Sequence, residues 1–193
     1  MYTEQTFQIP ELKGISMKQI EVHLKLYAGY VKHTNVIIDK IQELKQDSEK
    51  NAYTLGELNR RYGFEFDGMR LHEYYFEALE KGSQAPDATS ALVQALIAQY
   101  GSFDIWMHEF MAVGMTRGIG WTLLTYDTKG KHFHNTWVSD HELGNLSGLP
   151  IILAMDMWEH AFMVDYVPAE KGNYIKAFFE NLNWEVIQGR FQA

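Results

Sequence analysis

The segment LAMDMWEHAF, Leu153 to Phe162, places Asp156, Glu159 and His160 within five positions behind an apolar run. Two acids and an imidazole so close together form either the polar face of a helix or part of a metal site. The chain has eight histidines, His23, His33, His72, His108, His132, His134, His141 and His160, and no cysteine. Disulfides, thiolate chemistry and iron–sulfur sites are thereby excluded, and any metal must be held by nitrogen and oxygen. His23, His72 and His160 fall inside apolar stripes or behind a strand end, where a lone histidine is more often a satisfied core residue than a ligand. Asp156 differs, because it ends an apolar strand, where an unpaired carboxylate is costly to bury. It can converge with His160, four residues on, as the chain turns. Three imidazoles and one carboxylate suit manganese or iron, with a position left open for water or substrate. His132 and His134 alternate onto one face of a strand and read as a solvent-facing pair. His33 and His108 have no partner at ligand spacing and read as surface residues.

The elements that must carry these groups follow from periodicity. Ser16 is an N-cap, with Gln19 completing a capping box. Ile20, His23, Leu24, Tyr27, Tyr30 and Val31, then Val36, Ile37, Ile41 and Leu44, make one apolar face from Met17 to about Lys45. A short helix at Thr54–Tyr62 leads through GFEFDG to a second long helix over Asp67–Glu80. EKGSQAPDA reads as a linker, dividing the chain into residues 1–84 and 85–193. Beyond it, helices are expected over Ala88–Tyr100 and Ser102–Met115, and strands over Trp121–Tyr126 and His132–Val138. A third, buried strand is expected in GLPIILAMD, and a helical tail from Trp158. The outline is a helical half followed by an α+β half with a small antiparallel sheet. Seventeen basic against 25 acidic residues give a net charge of −8, which argues against nucleic acid and anionic membranes as partners. No apolar run approaches the ~18 residues of a membrane span, and the N-terminus lacks the features of a signal peptide. A soluble cytoplasmic protein is expected.

Asp156-x-Trp158-Glu159-His160-Ala161-Phe162 resembles the D-x-W-E-H-A-(Y/F) signature of the iron/manganese superoxide dismutases. ISMKQIEVH ending at His23 and LHEYYFEAL around His72 are similar to that family's first two ligand helices. YGSFDIWMHEF, GIGWTLLTYD and NYIKAFFENLNW resemble further segments of it. The resemblance implies the fold class α+β, an N-terminal α-helical hairpin followed by a C-terminal α/β domain with a three-stranded antiparallel sheet. It implies His23, His72, Asp156 and His160 as ligands of one iron or manganese ion, iron favoured, with a water or hydroxide as the fifth. It implies a homodimer in which Glu159 reaches the partner's metal-binding histidine and so fixes that ring. Tyr30 matches the second-sphere tyrosine of the substrate channel, and Trp121 and Trp158 match the surrounding aromatic shell. The implied reaction is the disproportionation of superoxide to dioxygen and hydrogen peroxide; a redox-inactive metal-binding homologue is the alternative. The family's solvent-binding glutamine has two locations. The first is Gly68 here, and at the second, in SDHELG, His141 stands in its place. The family's channel histidine and interface tyrosine align with Leu26 and Met163. The basic residue usual after DY has only Lys171 to offer, so attraction of an anion falls to local positives such as Lys25.

Overall fold

The computed structural model describes residues 1–192. Helix α1 (Met17–Leu44) opens as the sequence predicts, the Ser16 hydroxyl accepting from the Gln19 N–H at 3.1 Å. Its buried stripe is Ile20, His23, Tyr27, Val31, Thr34, Ile37 and Ile41, the spacing that turns one face of a helix to a core. The capping box is only half formed. The Gln19 side chain, instead of reaching back to its own helix, crosses to the His160 carbonyl and the Val164 N–H.

Helix α2 is continuous over Ala52–Glu77, where two helices broken at GFEFDG were expected. Gly63 and Gly68 each cost about 1 kcal/mol inside a helix, but packing against α1 and the sheet overrides that preference. Glu65, Gly68, Met69, Leu71, His72, Glu73, Tyr75 and Phe76 are all buried, so the second half of α2 has no single apolar stripe to read. Helix α3 (Ala91–Tyr100) starts later than expected because Ser90 is its cap, and α4 (Phe103–Gly114) is capped by Ser102.

Three strands, β1 (Gly120–Asp127), β2 (His132–Ser139) and β3 (Ile151–Asp156), form an antiparallel sheet in the order β2-β1-β3. Trp121 pairs with Asp156, and a register shift follows at Leu124/Thr125. Side chains cover part of both outer edges. The Gln99 amide donates to the Phe133 carbonyl at 2.9 Å and accepts from the Phe133 N–H at 2.7 Å on β2. On β3, Arg190 donates to the Ile152 carbonyl and Tyr174 to that of Asp156.

The tail is not helical from Trp158. Glu159–Ala161 and Pro168–Glu170 are single 3-10 turns, and helix resumes only in α5 (Lys171–Glu180) and α6 (Trp184–Gly189). Gln19 has taken the His160 carbonyl and Val164 N–H that a helix there would need, and Pro168 has no N–H to give. One hydrophobic core joins Tyr27 and Phe76 of the helical pair to Trp121, Met155, Tyr174 and Phe178 beyond it. The protein therefore has the α+β architecture expected, two long antiparallel helices followed by a helix-flanked three-stranded sheet. Among the described residues no helix is long and apolar enough to cross a membrane.

Candidate metal centre

His23 comes from α1, His72 from α2, Asp156 from the last position of β3, and His160 from the 3-10 turn that follows. The four converge, each offering a ligand atom within 4.8 Å of the others, and no other such group of three or more occurs among the described residues. The Asp156 Oδ2 atom is the focus: the Nε2 atoms of His23, His160 and His72 lie 2.9, 3.2 and 3.5 Å from it. Oδ1 is held by the Trp158 N–H at 2.8 Å, which fixes the carboxylate plane.

The proton inventory of this cluster does not close by itself. His72 directs Nδ1 at the Gly68 carbonyl, 2.6 Å away, so Nδ1 carries the hydrogen and Nε2 is a bare lone pair. That Nε2 is buried without a hydrogen-bond partner and faces the carboxylate. His23 Nδ1 is likewise buried and unpartnered. Burial lowers the His72 pKa strongly, and the neighbouring His23 lowers it further; burial also lowers that of His23, against the pull of Asp156. For Asp156, burial pushes the carboxyl up, but His160 and His23 outweigh it and hold it below the ordinary range. Asp156, His23 and His72 are all fully buried, and an ionised carboxylate beside imidazoles that burial biases toward the neutral form is a negative charge that a bound cation would compensate. The spacing fits. Ligands ~2.1 Å from one ion stand ~3.0 Å apart at right angles and ~3.6 Å apart at 120°.

Tyr30 and His141 lie beside this cluster. His23, Tyr27 and Tyr30 occupy one stripe of α1, and the Tyr30 ring packs on His72 at 5.0 Å. The buried His141 receives the Trp121 indole N–H on Nδ1 at 2.9 Å. An indole nitrogen only donates, so Nδ1 is the acceptor and Nε2 carries the hydrogen, which it gives to the Tyr30 oxygen at 2.8 Å. Burial lowers the His141 pKa to about 4 and keeps the ring neutral; it also raises that of Tyr30. Trp158 stacks on His141 and His160 at 4.9 and 5.5 Å. Trp121, Tyr30 and Trp158 thus wall the cluster from water.

Glu159 is exposed and lines a cavity of about 460 Å³ together with Arg117 and Lys171. The Lys171 ammonium donates to the Thr116 carbonyl at 2.8 Å and lies 5.2 Å from the Trp137 ring. Leu26 and Met163 both remain partly exposed. His132 and His134 pack against each other at 5.0 Å as a pair outside the cluster, and His33 and His108 are exposed. Sequence reasoning missed the bridging role of Gln19, although its position four before His23 puts it on the same helix face. Tyr174 was also missed; its hydroxyl holds the Asp156 carbonyl at 2.8 Å.

Residues 88–190 match the iron/manganese superoxide dismutases, C-terminal domain. The superoxide dismutase (Fe) of Cupriavidus metallidurans is 36% identical over 186 residues, covering 95% of this chain and 91% of that protein. The superoxide dismutase (Fe) of Aquifex pyrophilus is 33% identical, covering 94% and 86%. The superoxide dismutase (Mn) of Mycolicibacterium smegmatis is 34% identical over 173 residues, covering 89% and 81%. With a helical pair and a three-stranded sheet closing on a buried three-histidine, one-aspartate cluster, and with these relatives along almost its whole length, the chain belongs to the iron/manganese superoxide dismutase family.

Proposed function

We infer that the protein is a superoxide dismutase whose metal is bound by His23, His72, Asp156 and His160. The observation that supports this is the bare, buried Nε2 of His72 turned toward an ionised Asp156, an arrangement that a bound cation relieves. A bound iron or manganese ion supplies the one-electron exchange by which two superoxide ions and two protons become dioxygen and hydrogen peroxide. The chain supplies the rest. Gly68 and Trp158 orient His72 and Asp156 through their backbone groups. Trp121 fixes the tautomer of His141, His141 donates to Tyr30, and the Tyr30 hydrogen is thereby left to point into the pocket. The proton store beside the reaction is then a hydroxyl of raised pKa held by a neutral imidazole.

Iron is the favoured metal, supported by the Fe designation of the relative at 36% identity against the Mn designation of the one at 34%, with a water or hydroxide as the fifth ligand. A homodimer is supported by the exposed Met163 and Val164 beside Glu159 and by the part-exposed ring of His160. In that dimer Glu159 meets the partner's copy of His160. Metal analysis and superoxide decay, measured on iron-loaded and manganese-loaded protein, test the reading. Iron-loaded protein is expected to be the more active, and His72→Ala to lose both metal and activity. Bound metal without activity in either form overturns the assignment. Sedimentation is expected to show a dimer that Glu159→Ala weakens.

A further inference from the structure

A protein of net charge −8 repels superoxide, an anion, unless a positive charge guards the entrance. Lys171 does not, since its ammonium is engaged with Thr116 and Trp137 and lines the cavity beside Glu159. A separate cavity of about 590 Å³ opens on Tyr30 and Trp158, the outer wall of the metal cluster. Leu26 sits at its rim, and Arg61 is the one lysine or arginine among its lining residues; Lys25 is not part of the lining. Arg61 is unusually well held for a surface arginine. Its Nε and Nη2 donate to Glu65 Oε1 at 2.8 and 2.7 Å, and its guanidinium lies 3.8 Å from the centre of the Phe64 ring. Phe64 in turn meets His141 edge-on at 4.6 Å.

We propose that Arg61 is the residue that draws superoxide into this channel, with Glu65 and Phe64 fixing its guanidinium at the mouth. The inference rests on the dismutase reading above. The Arg61 side chain is 48% exposed and that of Glu65 only 8%, so the carboxylate lies beneath and the guanidinium faces outward. An approaching anion meets the positive charge at shorter range than the negative one, and Coulomb energy falls with distance. The two bonds to Glu65 use two of the five guanidinium N–H groups, and the planar fork keeps others available to an anion. Stacking on Phe64 and pairing with Glu65 also remove most of the side-chain freedom that an unheld arginine would lose on binding.

The test is superoxide decay by the iron-loaded protein, followed by stopped flow across a range of ionic strength. Arg61→Gln is expected to lower kcat/KM about threefold at low salt, to affect kcat less, and to flatten the salt dependence; Arg61→Lys retains most of both. Glu65→Gln keeps the shape and removes the opposing charge, so it is expected to raise kcat/KM at low salt. An Arg61→Gln enzyme with the wild-type salt slope overturns the inference while leaving the dismutase assignment intact. If Arg61→Gln loses iron, Glu65→Gln decides, and an unchanged or lowered kcat/KM counts against the proposal. Metal-loaded wild-type protein that leaves superoxide untouched overturns the functional reading and this inference together.

Discussion

A Cβ atom at position 68 would lie 2.6 Å from the Tyr30 ring, and that ring is itself backed by Phe64 and His141. Gly68 therefore does two things: its carbonyl sets the His72 tautomer, and its missing side chain makes room for Tyr30. Gly68→Ala gains about 1 kcal/mol of helix propensity against an overpacking cost of about 1–3 kcal/mol, so the net loss of stability is small. The displaced Tyr30, by contrast, loses its bond to His141. The expected outcome is at least a severalfold fall in the rate of superoxide decay with a drop of only a few degrees in Tm, read by parallel kinetics and thermal denaturation. The candidate ligands were legible through the resemblance of Asp156-x-Trp158-Glu159-His160 to a family signature; residue type alone singled out only Asp156, and left His23, His72 and His160 reading as core residues. Gly68 was legible only as a residue that cannot replace the glutamine. Its steric role depends on α1, which no local pattern around it records.

The contact between α1 and the turn after β3 depends on one buried amide. Gln19 is 1% exposed and satisfies both the His160 carbonyl and the Val164 N–H. Gln19→Leu keeps the volume but strands two backbone groups, at about 1–3 kcal/mol each. A lower Tm is expected, together with faster loss of metal to a chelator, since the His160 backbone is released; unchanged metal retention would mean that the turn holds itself. The same residue shows why some elements could be read and others not. The start of α1 declares itself through Ser16, and the third strand through the continuous apolar run after Pro150. The continuity of α2 did not, because its Gly63–Gly68 stretch is helical only by virtue of what packs around it. The tail after Trp158 carries helix-forming residues, yet its backbone is committed to Gln19, a partner 141 residues earlier.

The whole molecule stores neutral imidazoles. His23, His72 and His141 are all shifted below their ordinary range by burial, His141 to about 4. In the unfolded chain each titrates near 6.5, so between about pH 6.5 and 4 the unfolded state binds more protons than the native one, and stability falls as pH falls. Asp156, held low, adds a further loss once the pH drops below the ordinary carboxylate range. Metal-free protein is thus expected to lose Tm steadily below pH 6.5, while metal-loaded protein resists to lower pH because the ion excludes the same protons. Thermal scans of both forms across this window measure it, and coincident curves would refute it. The two partly covered edges of the sheet have a consequence of another kind. Gln99 occupies β2 as one residue of a fourth strand would, while Arg190 and Tyr174 cover the carbonyls of Ile152 and Asp156 on β3. A neighbouring polypeptide in a crowded solution finds no open ladder at Phe133, Ile152 or Asp156 to zip onto. Fibrous aggregation of the native protein through those positions must therefore wait until α3, α5 or α6 has peeled away.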